Sequence, residues 1–256
     1  MPIVYGPVPS WRLGKSLGVD LVSTFGKTCS FDCVYCQLGK TTHPLTEREE
    51  FISLRKLAEE LPQVKGVAID YVTFSGVGEP TLASNLGKAI SLVKDALNLP
   101  VAVLTNSSLM PRDDVRRELA LADVVVAKMD APTDEVFHKV NRPFTKYTFE
   151  EIIRGVKLFR AGFSGKLALQ MMFIEVNREY ASEMSRIAQQ LSPDEVQLNT
   201  PLRPCAVRHL PPKDINTIRQ AFSGFKNVVT VYQASKPEVR PLNLEETRRR
   251  RPAEGR

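Results

Sequence analysis

Cys29, Cys33 and Cys36 fall within eight residues in the order C-x3-C-x2-C, and they are three of the four cysteines in the chain. So short a loop turns its thiols toward a common centre, and the surrounding fold has to be built to hold that centre. Three thiolates are one donor short of the four that close a tetrahedral zinc site or saturate a four-iron cluster. A [4Fe–4S] cluster on three cysteines therefore leaves one iron open to an outside ligand. A disulfide is the poorer reading: three clustered cysteines leave one over, and the N-terminus lacks the charged-then-apolar order of a secretory signal. Zinc is the rival, with Cys205 or His43 as fourth ligand, although the paired C-x2-C halves usual for such sites are missing.

At 256 residues the chain has room for one large α/β domain, and a hydrophobic share of 43% suits a globular core. No run of apolar residues is long enough to span a bilayer. A reducing, cytoplasmic setting is expected, and it would also protect an oxygen-sensitive cluster. The net charge of +6 is compatible with a polyanionic partner, but part of it is the run Arg248 to Arg251. That run is expected to be a solvated tail, so residues 1–236 are read as the barrel domain and 237–256 as a basic C-terminal tail.

Pro7, Pro9 and the glycines between residues 5 and 20 argue for an ordered loop there. Residues 17–25 read as the first strand, delivering Cys29 just past its end. A helix is expected within 46–61, capped by Thr46 with Glu49 or by Ser53. Strands are expected at 67–74, 100–104, 124–127, 167–174, 196–198 and 228–232, with helices at 85–97, 111–121, after the Thr148–Glu151 capping box, at 180–191 and around Ile215, Ile218 and Phe222. Strands and helices in alternation give a parallel sheet. Six to seven βα units are too few to close an eightfold barrel, so the expected fold is a partial, open parallel β/α barrel.

In such barrels the chemistry lies at the C-terminal ends of the strands. After the strand ending at Phe74 come Gly76, Gly78, Glu79 and Pro80, where glycines admit close backbone approach and Glu79 adds a carboxylate acceptor. Later strand ends bring Asn106, then Lys128 with Asp130, then Asn177, then Arg203. Asn106 and Asp130 are the stronger candidates for ligand contacts; Asn, Ser and Lys–Asp pairs also serve as ordinary caps and surface ion pairs. Cys205, His138 and His209 suggest no further metal set.

The cysteine spacing, with Tyr35 just before the last thiol, resembles the radical S-adenosylmethionine superfamily. The segment Gly6-Pro-Val-Pro-Ser10, the stretch 13–20 and the stretch 27–39 resemble, more narrowly, a group of prokaryotic proteins related to 4-demethylwyosine synthases. Pro201 to Pro204 extends the likeness, while Trp11 stands where the group has arginine. The resemblance implies that Cys29, Cys33 and Cys36 hold a [4Fe–4S] cluster and that S-adenosylmethionine (SAM) binds its open iron. It further implies cofactor contacts from Tyr35, Gly76, Gly78, Glu79 and Pro80, to which the strand-end reading adds Asn106, Asp130 and Asn177. A one-electron donor of flavodoxin or ferredoxin type is implied as partner, and the substrate stays open between an RNA, a polypeptide and a small metabolite. Wyosine chemistry itself is not implied, because the second cysteine set of those synthases is absent. Activation of a glycyl-radical enzyme is the alternative within the class. A zinc-containing nucleic-acid-binding module is the alternative outside it.

Overall fold

The computed structural model describes residues 2–253. The chain opens with an antiparallel pair, β1 (Val4–Ser10) and β2 (Gly14–Val19). The expected loop over residues 5–20 is thus a hairpin, and the expected strand at 17–25 ends at Val19. Proline is tolerated in β1 because that strand is the edge of the sheet, where one side of its backbone needs no ladder partner. Next come β3 (Thr28–Cys29) and β4 (His43–Pro44), a two-stranded parallel patch that ties the two sides of the cysteine loop together.

Helix α1 (Leu54–Glu60) lies within the expected 46–61. Of the two candidate caps, Ser53 is used: its hydroxyl accepts from the Lys56 amide. Then follow β5 (Tyr71–Phe74), α2 (Leu86–Leu97), β6 (Val101–Thr105), α3 (Asp113–Leu119) and β7 (Val124–Lys128). Two helices separate β7 from the next strand: α4 (Asp134–Asn141), capped by Thr133, and α5 (Phe149–Gly162), which carries the expected Thr148–Glu151 capping box. The chain continues through β8 (Lys166–Met172), α6 (Ala181–Leu191), β9 (Glu195–Asn199), α7 (Pro212–Gln220) and β10 (Val228–Thr230), and α8 (Leu244–Arg250) follows.

The sheet runs β1-β2-β5-β6-β7-β8-β9-β10, with every pair from β2 onward parallel. Its two edges do not pair, so the structure is an α/β half-barrel of seven parallel strands and one antiparallel edge. The main core lies between the outer face of the sheet and the helices. Inside, Leu13, Ala102, Val124, Val126 and Ala168 form a separate apolar plug. Side chains alternate across a strand, so stepping along from this plug puts Lys128 and Gln170 on the same inner face. Ser16, bonded to Thr73 at 2.6 Å, adds to this buried polar layer. The polar layer is the floor of a cavity. Among the described residues no helix is long and apolar enough to cross a membrane.

Helix α8 corrects the reading of Arg248–Arg251 as a solvated run. Arg250 is 0% exposed, and α8 joins β1 through the Gly6 amide, which donates to Thr247 Oγ1 at 3.1 Å.

Candidate functional site

The cysteine loop is fixed from several directions. The Cys36 amide donates to the Cys33 carbonyl, and the Gly39 amide to that of Cys36, winding the loop into consecutive turns. The Val34 and Asp32 amides donate to carbonyls of Val140 and Asn141 at the end of α4, and Phe31 meets Phe137 edge-on with centroids 5.2 Å apart. Helix α4, absent from the sequence reading, is therefore the clamp on the loop. The three thiols are free and all line one cavity of about 250 Å³.

The turn after β5 packs directly against this loop. The Glu79 amide donates to the Thr28 carbonyl at 3.2 Å, and Thr28 and Gly78 form a parallel bridge. A Cβ on Gly78 would overlap that carbonyl oxygen, and one on Gly76 would overlap the Asp20 carboxylate. Both glycines line the cavity, but what demands them is protein backbone and Asp20. Gly78→Ala is expected to cost about 1–3 kcal/mol by overpacking, measured by urea denaturation, and to lower the iron retained per chain.

Glu79 is 2% exposed, and its carboxylate accepts from the Thr81 amide and hydroxyl, the Thr105 hydroxyl and the Asn106 amide at 2.6–3.1 Å. Burial pushes its pKa up while these four bonds hold it back. The Asn106 side chain donates to Ser30 Oγ at 2.9 Å and reaches Cys29 Sγ at 3.5 Å. Ser30 in turn bonds Ser108 at 2.6 Å.

On the other side of the loop, the Tyr35 hydroxyl donates to Asp130, which also accepts from Asn141 Nδ2 at 3.0 Å and the Met172 amide at 2.8 Å. Asn141 Nδ2 lies 3.4 Å from Cys33 Sγ. Lys128 sits 4.6 Å from the Tyr35 ring centre and 3.6 Å from Asp130. Burial, then the Asp130 and Cys33 charges, raise the Tyr35 pKa far enough to keep its proton in place.

Tyr35, Gly76, Gly78, Glu79 and Asn106 line the cavity, whereas Pro80, Asp130 and Asn177 lie behind its wall. Asn177 is 0% exposed: its amide donates to the Asp130 and Met172 carbonyls and its oxygen accepts from the Ile174 amide, all at 2.8 Å. Its hydrogen bonds thus brace the ends of β7 and β8. Cys205, whose thiol reaches the Val207 carbonyl at 3.1 Å, and His43 are not among the cavity's residues, so neither supplies the three thiols with a fourth ligand there.

Two groups escaped the sequence reading. Asn141 sits on an unforeseen helix. Lys27 is 5% exposed beside the cysteines: burial lowers its pKa, but Cys36, Cys29 and Cys33 together outweigh that and hold it above the ordinary value. Its position two residues before Cys29 was the available signal.

A half-barrel carrying a three-cysteine loop beside its first parallel strand defines the class. The Radical SAM superfamily model matches residues 23–187, and the chain belongs to that superfamily. Within it the chain belongs to the UPF0026 family. It is 36% identical over 236 residues to a UPF0026 protein of Methanocaldococcus jannaschii, covering 90% of this chain and 73% of that one. A UPF0026 protein of a Synechocystis strain is 40% identical over 204 residues, covering 79% and 77%. Among solved structures, a radical SAM methyltransferase from Sphaerobacter thermophilus superposes with a TM-score of 0.63 at 16% identity, over 85% of this chain and 66% of that one. Archaeal TYW1 gives 0.57 at 11%, over 82% and 71%. These structures share the fold.

Membership implies an enzyme with a [4Fe–4S] cluster and SAM. The residues present fit that cluster. Burial pushes the Cys29 thiol up to about 12 against the pull of Lys27, so a thiolate there calls for more positive charge than the protein supplies. Among the described residues no three His, Cys, Asp or Glu side chains are grouped for a single ion. A cluster takes each thiolate on a separate iron and spreads them more widely than one zinc with bonds of about 2.3 Å.

Proposed function

We propose that this protein reductively cleaves SAM to take a hydrogen atom from an RNA or polypeptide substrate, with Cys29, Cys33 and Cys36 as the cluster ligands. The observation that carries this reading is the convergence of three free, half-buried or buried thiols on a single cavity at the strand ends. Held by Cys29, Cys33 and Cys36, the cluster would supply the one-electron reduction that splits SAM into methionine and a 5′-deoxyadenosyl radical able to take the hydrogen.

The chain's own residues hold and tune. Lys27 offsets the charge of the thiolates from within hydrogen-bond reach of the Gly39 carbonyl, at 3.4 Å. Asn106 and Asn141 direct N–H groups at Cys29 and Cys33, and donors to cluster sulfur raise a reduction potential. Gly76, Gly78, Glu79 and Pro80 form the turn that would receive the methionine amine, while Tyr35, Asp130 and Asn177 keep the opposite wall rigid. The buried polar layer under the cavity closes it to bulk water from below. A flavodoxin or ferredoxin in a reducing cytoplasm is the proposed electron source. Kinship with 4-demethylwyosine synthases, suggested by residues 6–20 and 27–39, favours RNA as substrate without transferring wyosine chemistry.

Anaerobically purified protein, reconstituted with iron and sulfide, should release 5′-deoxyadenosine and methionine in equal amounts when dithionite and SAM are added. SAM recovered intact from brown, cluster-loaded protein would overturn the reading. Deuterated RNA and peptide pools then identify the substrate by label appearing in 5′-deoxyadenosine.

A further inference from the structure

The floor of the cavity holds a polar group that the fold leaves unused. Gln170 lines the cavity and is 5% exposed, and its side-chain Nε2 is buried with no hydrogen-bond partner. Lys128, Gln170 and Gln197 are direct partners across β7, β8 and β9, so their side chains share the inner face. Neither neighbour serves the amide. Lys128 reaches away to Asp130 at 3.6 Å and over the Tyr35 ring. Gln197 donates its own Nε2 to Glu195 Oε1 at 2.7 Å, and its Oε1 is a second buried atom without a partner. A buried amide left unpaired costs stability, and methionine, unbranched and of similar length, would fill the space without that cost. An orphan of this kind in a folded interior calls for a role other than holding the fold.

The surroundings of Gln170 narrow that role. Two residues before it on β8 is Ala168, which packs in the apolar plug with Leu13. Leu13 belongs to the turn between β1 and β2, residues 11–13, so the plug brings this turn up to β8 beneath Gln170. Trp11 of the same turn lines the same cavity. The turn precedes β2, whereas the cysteine loop follows it. The two ends of a six-residue strand lie roughly 20 Å apart.

We propose, resting on the enzymatic reading above, that Gln170 reads the edge of one base of an RNA substrate while Trp11 gives that base a ring to stack on. With SAM at the cysteine end, the floor between Gln170 and the turn is left for the substrate. A carboxamide presents a donor and an acceptor in one plane, which pairs with the adjacent acceptor and donor of a base edge, as glutamine does with adenine. Bases of single-stranded RNA are recognised in this way, by an aromatic face together with a hydrogen-bonded edge. A peptide amide would match the edge but brings no flat ring to the indole, and the net charge of +6 favours a polyanion.

Cluster-loaded protein saturated with SAM, without reductant, is equilibrated by dialysis with end-labelled tetraribonucleotides of A, C, G or U. One of the four is expected to bind about tenfold or more tighter than the weakest, within the roughly 5–150-fold that a bidentate base contact discriminates. Gln170→Met should erase that difference. Gln170→Glu, which keeps the acceptor and loses the donor, should change which base is preferred. Trp11→Ala should weaken all four alike, because stacking is tolerant of sequence. The urea midpoint of Gln170→Met should equal or exceed the parent's, since no hydrogen bond is lost. A lower midpoint would show that the amide serves the fold by pairing with Gln197, and would overturn the proposal. So would equal binding of all four by the parent, or a preference that survives in Gln170→Met. A matching loss of SAM affinity in that variant would make Gln170 a cofactor contact, with the same consequence. A tetraglutamine peptide that displaces the preferred oligonucleotide at equal concentration would assign the edge to a polypeptide and likewise refute the base. SAM cleavage is measured separately on the parent: cleavage without base preference sinks this inference alone, and base preference without cleavage sinks the enzymatic reading alone.

Discussion

Replacing Cys33 by Ala is expected to cut bound iron from about four per chain to below one and to remove the broad absorbance near 400 nm. Dithionite-dependent release of 5′-deoxyadenosine should fall below about one hundredth of the parent rate, since each thiolate serves its own iron. Two further losses compound this. Asn141 Nδ2 would no longer face a sulfur at 3.4 Å, and Lys27 would stand near two thiolates instead of three. Cys29→Ala and Cys36→Ala should match it. Cys205→Ala is the control: its thiol touches the Val207 carbonyl outside the cavity, and iron content and rate should both stay unchanged. A Cys33→Ala protein that keeps four irons would transfer the ligand role to another residue and break the assignment.

The cysteine spacing needed only a local signal, because eight consecutive residues carry all three thiols. The half-barrel was legible for a similar reason: Val101–Thr105 and Val124–Lys128 are short apolar runs between periodic helices, the pattern of strands buried on both faces. What stayed hidden depended on partners distant in sequence. Pro7 and Pro9 read as a loop because local chemistry does not reveal that the strand is an edge. The polar floor at Ser16, Thr73 and Gln170 consists of single residues in alternating register, and only the curvature of the open sheet gathers them around one cavity. Helix α4 is eight residues of mixed polarity, stabilised by the cysteine loop it clamps. Asn177 sits at a strand end, as a ligand contact would, but its amide is taken up by three backbone groups. Arg248–Arg251 reads as a solvated run until Asp20, 230 positions away from Arg250, is seen to face it.

That last pairing makes Arg250→Ala the most destabilising substitution foreseen outside the cysteines. Arg250 and Asp20 are 0% and 2% exposed and meet at 2.8 Å. The guanidinium also donates to Glu246 Oε2 at 2.6 Å, the Pro2 carbonyl at 2.7 Å and Ser23 Oγ at 2.8 Å, and lies 5.0 Å from the Tyr5 ring centre. Truncating it strands the Asp20 carboxylate in the interior, a loss of about 3–5 kcal/mol, which should appear as a fall in the urea midpoint of about 2 M. Asp20 also accepts from the Val22 and Val77 amides, and the Arg250 carbonyl accepts from Gln37 beside Cys36, so the substitution should loosen the cluster turn as well. The deficit has a definite pH dependence. Burial already outweighs Arg250 and raises the Asp20 pKa above its ordinary value, and without the cation it climbs further. A carboxyl that titrates higher in the fold than in the unfolded chain favours the fold as it takes up a proton. The deficit should therefore be largest above the folded pKa and shrink as pH is lowered through it. Adding Asp20→Asn removes the stranded charge, so the double variant should recover part of the loss at neutral pH. A deficit below about 1 kcal/mol, the range of an exposed ion pair, would mean that the C-terminal helix is not anchored through this arginine.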